Sequence, residues 1–277
     1  MSTLGVLITV YHGSQPAHLA ECLDSLAAQT RQADHIVLVE DGPVSAQVHA
    51  LIDAFTAQHP HAEVLRLPHN MGSGLASAAG LERMEGDELI ARLDSDDIAA
   101  PERFERQCAF LTQHPEIDIL GTALAEFERS PEEVTAIRRL PEQHHEIARY
   151  AKMNSPINNP SVMMRAAALH TAGGYRHVHF MEDYDLYARA LATGARFHNL
   201  PEPLTYFRVS DAQFARRTGS EMFAAERQMQ RHLVSYGLIS KPRSWFNLAA
   251  RTTYRLLPQD LLRRAYARLF HRKPKKD

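Results

Sequence analysis

The chain has little of what a disulfide-built or membrane-embedded protein needs. Only two cysteines, Cys22 and Cys108, occur in 277 residues, and no CxxC spacing is present. A disulfide framework and a thiolate metal centre are therefore not expected, and a reducing compartment is. No stretch approaches the ~18 consecutive apolar residues of a spanning helix. The opening residues lack a basic segment followed by an apolar one, so no secretory leader is expected either. There is no internal repeat and no low-complexity tract. What remains is ordinary for a globular protein with a packed core, at 44% hydrophobic and 23% charged residues. The length suits one large domain with an appendage.

Net charge is only −2, but it is unevenly spread. Residues 241–277 carry eleven Lys/Arg against two Asp, a net of +9, which leaves −11 on residues 1–240. Arginines there alternate with Trp245, Phe246, Leu248, Tyr254, Leu256, Leu257, Leu261, Leu262, Tyr266, Leu269 and Phe270. Such a basic amphipathic pattern suits a helix lying on an anionic membrane, or one packed on the body of the protein. We divide the chain into a domain at 1–236 and a basic tail at 237–277. Nucleic acid is not expected as a partner, because no reading motif accompanies the charge.

Periodicity supplies the fold class. Gly5–Val10, His35–Glu40, Glu63–Leu67, Glu88–Leu93 and Ile117–Thr122 read as strands. Between them, helical spacing appears in Leu19, Cys22, Leu23 and Leu26, across 45–58 and 73–84, and from Pro101 to about His114. Alternation of this kind predicts an α/β domain whose central sheet is mainly parallel and flanked by helices. Beyond residue 123 it stops. Proline-punctuated loops lead to a helix at 183–192, a short strand at 204–209 and a long helix at about 214–236.

The fourth strand runs into Asp94-Ser95-Asp96-Asp97. Open α/β sheets bind ligands at the C-terminal ends of their strands, and adjacent carboxylates favour a hard divalent cation. An EF-hand is excluded, since Ala99 stands where that loop requires glycine. Arg92, one alternation from Asp94, points the same way and would place positive charge near a donor. The first strand ends at Thr9 and Tyr11, the second at Asp41, on the same sheet edge. Tyr11 offers a ring to a base and Asp41 an acceptor. Asn70-Met71-Gly72-Ser73-Gly74 follows the third strand, where glycines let backbone approach a ligand. Glu182 and Asp183 open the later helix, where spacing alone reads them as capping and dipole residues.

Two other classes stay open at this level. Gly72-x-Gly74-x-x-Ser77 imitates a dinucleotide fingerprint and so allows an oxidoreductase. A nucleotidyltransferase on a similar sheet is also allowed, although residues 11–16 supply no glycine-rich, lysine-containing loop.

Taken in order, ITVYH, VEDG, NMG, ARLDSDDI with Pro101, NNPSVMMR, GGY and MEDYDLYAR resemble the family 2 glycosyltransferases of GT-A fold over about residues 4–236. Within that family the chain resembles bacterial exopolysaccharide and lipopolysaccharide transferases of the amylovoran-biosynthesis type. The resemblance implies a nucleotide site at Thr9, Tyr11, Asp41, Asn70, Gly72, Arg92 and Asp94. It also implies Mn²⁺ or Mg²⁺ held by Asp94 and Asp96, and Asp183 as catalytic base with Glu182 supporting it. The expected reaction is inverting, metal-dependent transfer of one sugar, with UDP-hexose as donor and a glycan or lipid-linked hydroxyl as acceptor. The expected location is cytoplasmic, on the inner face of the plasma membrane. Glu40 and Pro43 depart from the family's pattern beside the glycine. Gln213-Phe214-Ala215-Arg216-Arg217 lacks the tryptophan of processive members, which implies a single addition per encounter.

Overall fold

The computed structural model describes residues 2–209, 220–255 and 271–272. Four βα units build the first half: β1 (Leu4–Tyr11), α1 (Pro16–Ala27), β2 (His35–Asp41), α2 (Ala46–Gln58), β3 (Ala62–Arg66), α3 (Ser73–Leu81), β4 (Leu89–Arg92) and α4 (Arg103–Gln113), with β5 (Ile98–Ala99) between the last two. Pro16 stands in the first turn of α1, where its missing N–H costs nothing. The Ser45 hydroxyl caps α2 by accepting from Val48 N at 3.3 Å. Strands β3, β2, β1 and β4 pair in parallel in that order.

The second half is folded onto the free edge of β4. It comprises β6 (Ile119–Phe127), β7 (Ala136–Arg138), α5 (His144–Tyr150), β8 (Met163–Arg165), α6 (Ala166–Thr171), α7 (Glu182–Ala192), β9 (Phe197–Arg208), α8 (Ser220–Ser235), α9 (Lys241–Arg255) and β10 (His271–Arg272). Strand β8 lies between β4 and β6, antiparallel to both. β9 runs parallel beside β6 with a register shift near Ala123. β7 and β5 pair antiparallel with β6 and β9 respectively.

Two cores sandwich the sheet. Leu4, Val6, Ile8 and Val10 of β1 face α1, α2 and α4, while Leu7 with Val37 and Val39 faces α3, α6 and α7. Strands buried on both faces read as continuous apolar runs, which is why β1, β2 and β4 stand out in the sequence. Cys22 and Cys108 are buried free thiols in α1 and α4. No helix among the described residues is long and apolar enough to cross a membrane.

Several expectations need adjustment. The fifth strand extends to Phe127, and the strand expected at 204–209 is the second half of β9. The long helix starts at Ser220 within the described residues; its expected start at 214, and the Gln213–Arg217 stretch, lie outside them. The expected boundary at 236/237 is bridged, because α9 packs against α8. Buried Asn247 donates to Gln230 Oε1 at 2.9 Å and to Lys152 O at 2.7 Å. The tail's residues 256–270 and 273–277 lie outside the described set.

Candidate active site

The parallel register sets the ends of β1 and β2 side by side, with Tyr11 opposite Asp41. Tyr11 is exposed and Thr9 half-buried. Asp41 is buried, and its carboxylate accepts backbone N–H groups from Met71 (2.6 Å) and Gly72 (3.0 Å). Asn70 returns the contact by donating Nδ2 to Asp41 O at 3.1 Å. Asp41 thus fastens the turn after β3 to the end of β2. Gly42 makes this possible: its φ is +78°, and a Cβ there would lie 2.5 Å from Asn70 N. Ser14 links the loop after Tyr11 to the acid turn, with its Oγ 3.2 Å from Ser95 Oγ.

The acid turn is held from behind. Arg92 is 1% exposed; its guanidinium donates to Asp94 Oδ1 at 3.1 Å and to Ser77 Oγ, and lies 5.5 Å from the Tyr175 ring centre. The sequence placed Arg92 facing a donor. Alternation puts Arg92 on the same side as Asp94, and there its guanidinium is held between Asp94, Ser77 of α3 and Tyr175. Arg208, at the end of β9, grips the turn from the other direction. Its Nε donates to Asp96 O at 3.1 Å and its N–H to Asp97 Oδ1 at 2.9 Å, while its guanidinium pairs with Glu21.

Asp97 is fully buried, and burial together with the charges of Asp96 and Asp94 raises its pKa well above the carboxylate range. A cation against the turn would relieve that accumulated negative charge. Asp94 and Asp96, both reachable from solvent, are hard oxygen donors that fit magnesium or manganese. Among the described residues no three His, Cys, Asp or Glu side chains converge as a metal cage.

α7 brings the second carboxylate pair to the same place. Gly74 lets α3 approach closely, since a Cβ on it would meet Arg176 O at 2.3 Å and Glu182 Cβ at 3.1 Å. Asp183 accepts Tyr184 N–H on Oδ1 at 2.7 Å and the Ser155 hydroxyl on Oδ2 at 3.4 Å. Burial, then the Glu182 charge, with a smaller contribution from Asp94, pushes its pKa up to about 7. The preceding Phe180 has φ +59°, an unusual conformation for a non-glycine residue, and it lies on the cleft wall. Two residues on, buried Asp185 accepts from Arg189 Nε (2.8 Å) and Tyr236 OH (2.7 Å), with His232 Nδ1 at 2.8 Å. This fixes α7 to α8.

Asp94, Glu182 and Asp183 line one cleft of about 450 Å³, together with Ser73 at the start of α3. Its remaining wall comes from the region where alternation failed: Arg138, Tyr150, Asn154, Ser155, Phe207 and Met222 are among its residues. Sequence reasoning missed all of these. Asn158, Asn159 and Pro160, within NNPSVMMR, did carry a signal. Arg138 pairs with Glu126 and lies 4.5 Å from the Phe207 ring centre.

The GT-A-type sheet, with an acid turn at its C-terminal edge and the Glu182–Asp183 pair lining the same cleft, is the arrangement the resemblance to glycosyltransferases implies. The family model "Glycosyl transferase family 2" matches residues 6–171, and "Glycosyl transferase family group 2" matches 89–272. The chain belongs to glycosyltransferase family 2. It is 36% identical over 261 residues to the amylovoran biosynthesis glycosyltransferase AmsE of Erwinia amylovora, covering 94% of this chain and 97% of that one. It is 31% identical over 267 residues to the UDP-Gal:alpha-D-GlcNAc-diphosphoundecaprenol beta-1,3-galactosyltransferase of Escherichia coli, covering 96% of each. Among solved structures it is similar to S. aureus TarS 1-349 in complex with UDP-GlcNAc (TM-score 0.68, 18% identity, 96% of this chain and 75% of that one). The mannosyltransferase PcManGT from Pyrobaculum calidifontis, in complex with GDP-Man and Mn²⁺, gives TM-score 0.65 at 15% identity, covering 97% and 80%.

Proposed function

We propose that the chain transfers one hexose from a UDP-sugar, with inversion, to a hydroxyl of a lipid-linked glycan in bacterial surface polysaccharide synthesis. The observation that carries this is the shared cleft: Asp94, Glu182 and Asp183 line one cavity of about 450 Å³. The curated relatives, one acting on a diphosphoundecaprenol-linked acceptor by its name, support the donor and acceptor classes.

Thr9, Tyr11 and Asp41 would receive the base, with Tyr11 stacking on it. Asn70 and Gly72 form the turn beside that pocket. A divalent ion held by Asp94 and Asp96 would supply Lewis-acid charge to the departing diphosphate. Arg92 keeps Asp94 oriented and adds buried positive charge behind it. Asp183 takes the proton of the attacking hydroxyl; its raised pKa makes it a competent base near neutral pH. Attack from the Asp183 wall, opposite the leaving group, inverts the anomeric centre. One addition then ends the encounter.

The test is a screen of UDP- and GDP-sugars for metal-dependent hydrolysis, followed by transfer to a lipid-diphosphate acceptor. Asp96→Ala is expected to lose metal-dependent UDP binding in calorimetric titration, and an unchanged titration would remove Asp96 from the metal site. Reduction of a nicotinamide cofactor, with no effect of metal on any sugar nucleotide, would return the oxidoreductase.

A further inference from the structure

Helix α9 has two unlike faces. Its inner face is polar and fully engaged: Asn247 reaches Gln230 and Lys152 O, and Arg251 pairs with Glu226 and donates to Met153 O (2.6 Å) and Asn154 Oδ1 (2.9 Å). The opposite face carries Lys241, Trp245 and Ala249 at successive i, i+4 positions, with Phe246 beside them; all four are exposed. Four large apolar side chains are exposed among the described residues, and the two most exposed are these neighbours, Trp245 at 74% and Phe246 at 59%. Arg243 lies 5.6 Å from the Phe246 ring centre. Tyr11, another of the four, has a proposed use in stacking on a base; among the described residues Trp245 and Phe246 pack into none of the hydrophobic cores.

We propose that the Lys241–Trp245–Phe246 face of α9 docks on an anionic lipid bilayer. Charge complementarity selects this occupant. The aromatic pair opens a segment of net charge +9 on a chain that is otherwise strongly acidic. Aromatic side chains settle at the headgroup level, and each nearby cation adds attraction to anionic lipid. An acidic protein surface would meet the cations but leave the aromatic pair without an apolar counterpart. The inner face of α9 holds Asn154, which lines the cleft. Docking therefore holds the protein at the surface in which lipid-linked acceptors are embedded. This rests on the lipid-linked acceptor proposed above.

Trp245 is the chain's single tryptophan, so its fluorescence reports on this face alone. With the full-length protein, phosphatidylglycerol vesicles are expected to shift its emission to the blue, neutral phosphatidylcholine vesicles are not, and high salt should reverse the shift. Trp245→Ser/Phe246→Ser should reduce co-sedimentation with the anionic vesicles about tenfold. The same variant should transfer normally to a short-chain soluble acceptor and poorly to one embedded in vesicles. No emission change with anionic vesicles, or equal sedimentation of the variant, overturns the proposal. So does a concentration-dependent dimer lost in the variant, which would assign the face to a second copy. Donor hydrolysis in free solution is read separately, so its failure condemns the enzymatic assignment while leaving lipid binding to be judged by itself.

Discussion

At the scale of single residues, the decisive group in the proposed mechanism is Asp183. Replacing it with Asn keeps the shape and one acceptor oxygen for Tyr184 N–H but removes the proton-accepting carboxylate. Asp183→Asn should slow transfer by about 10²–10⁴-fold while leaving UDP binding intact; near-normal turnover would exclude it as base. Its pKa of about 7 also fixes a pH dependence. The base works only when ionised, so kcat/KM should rise with pH through the neutral range. Glu182 is the largest charge opposing that ionisation. Glu182→Gln should therefore move the acidic limb to lower pH; a limb that stays in place means that another group titrates. The sign for stability is opposite. Between the ordinary carboxylate value and about 7 the folded state binds the extra proton, so this residue's contribution to stability falls as pH rises. The place of Asp183 in the cleft was legible in the sequence only through the ordered motif set, because its position in a helix's first turn looks like capping. Arg92 was legible in direction but not in destination. Alternation along a strand tells which face a side chain takes, not whether Ser77 and Tyr175 already close that face.

At the scale of elements, the first half of the fold was legible because each parallel strand must bury both faces and each helix one stripe. Those demands leave clear periodic signals over five or more residues. β5, β7 and β8 have two or three residues each and exist through pairing with β9, β6 and β4. No local propensity marks such strands, so the cleft wall they support was invisible, Arg138 and Ser155 included. The turns between elements are more strictly encoded. Gly42 combines a left-handed φ with a backbone approach that admits no Cβ. Gly42→Ala should cost about 1–2 kcal/mol from the left-handed conformation alone, with the clash against Asn70 adding to it. Thermal unfolding measures this loss. The displaced 70–72 turn would also release Asp41, so UDP affinity should fall in the same variant, whereas unaltered stability and affinity would show that the turn has slack.

At the scale of the whole molecule, the charge asymmetry visible in composition marks α9, but composition could not say that its inner face belongs to the catalytic body. Arg251 is the link. It neutralises Glu226, which is 2% exposed, and it holds Met153 O and Asn154 on the cleft wall. Removing one partner of a buried ion pair costs about 3–5 kcal/mol, and the 21% exposure of Arg251 puts this pair at the lower end. Arg251→Met should accordingly lower the unfolding midpoint. Pairing it with Glu226→Gln removes the stranded charge and should restore most of that stability. The wall would still lack its tether, and small misplacements of positioning groups cost catalysis heavily. In the double variant the acceptor KM should rise about tenfold while metal-dependent donor hydrolysis stays near normal, because Asp94, Asp96 and the proposed nucleotide pocket are built on the first half of the fold. Recovery of both stability and acceptor KM would reduce α9 to a scaffold with no hold on the cleft. Loss of donor hydrolysis together with acceptor binding would mean that the two halves of the site respond as one body.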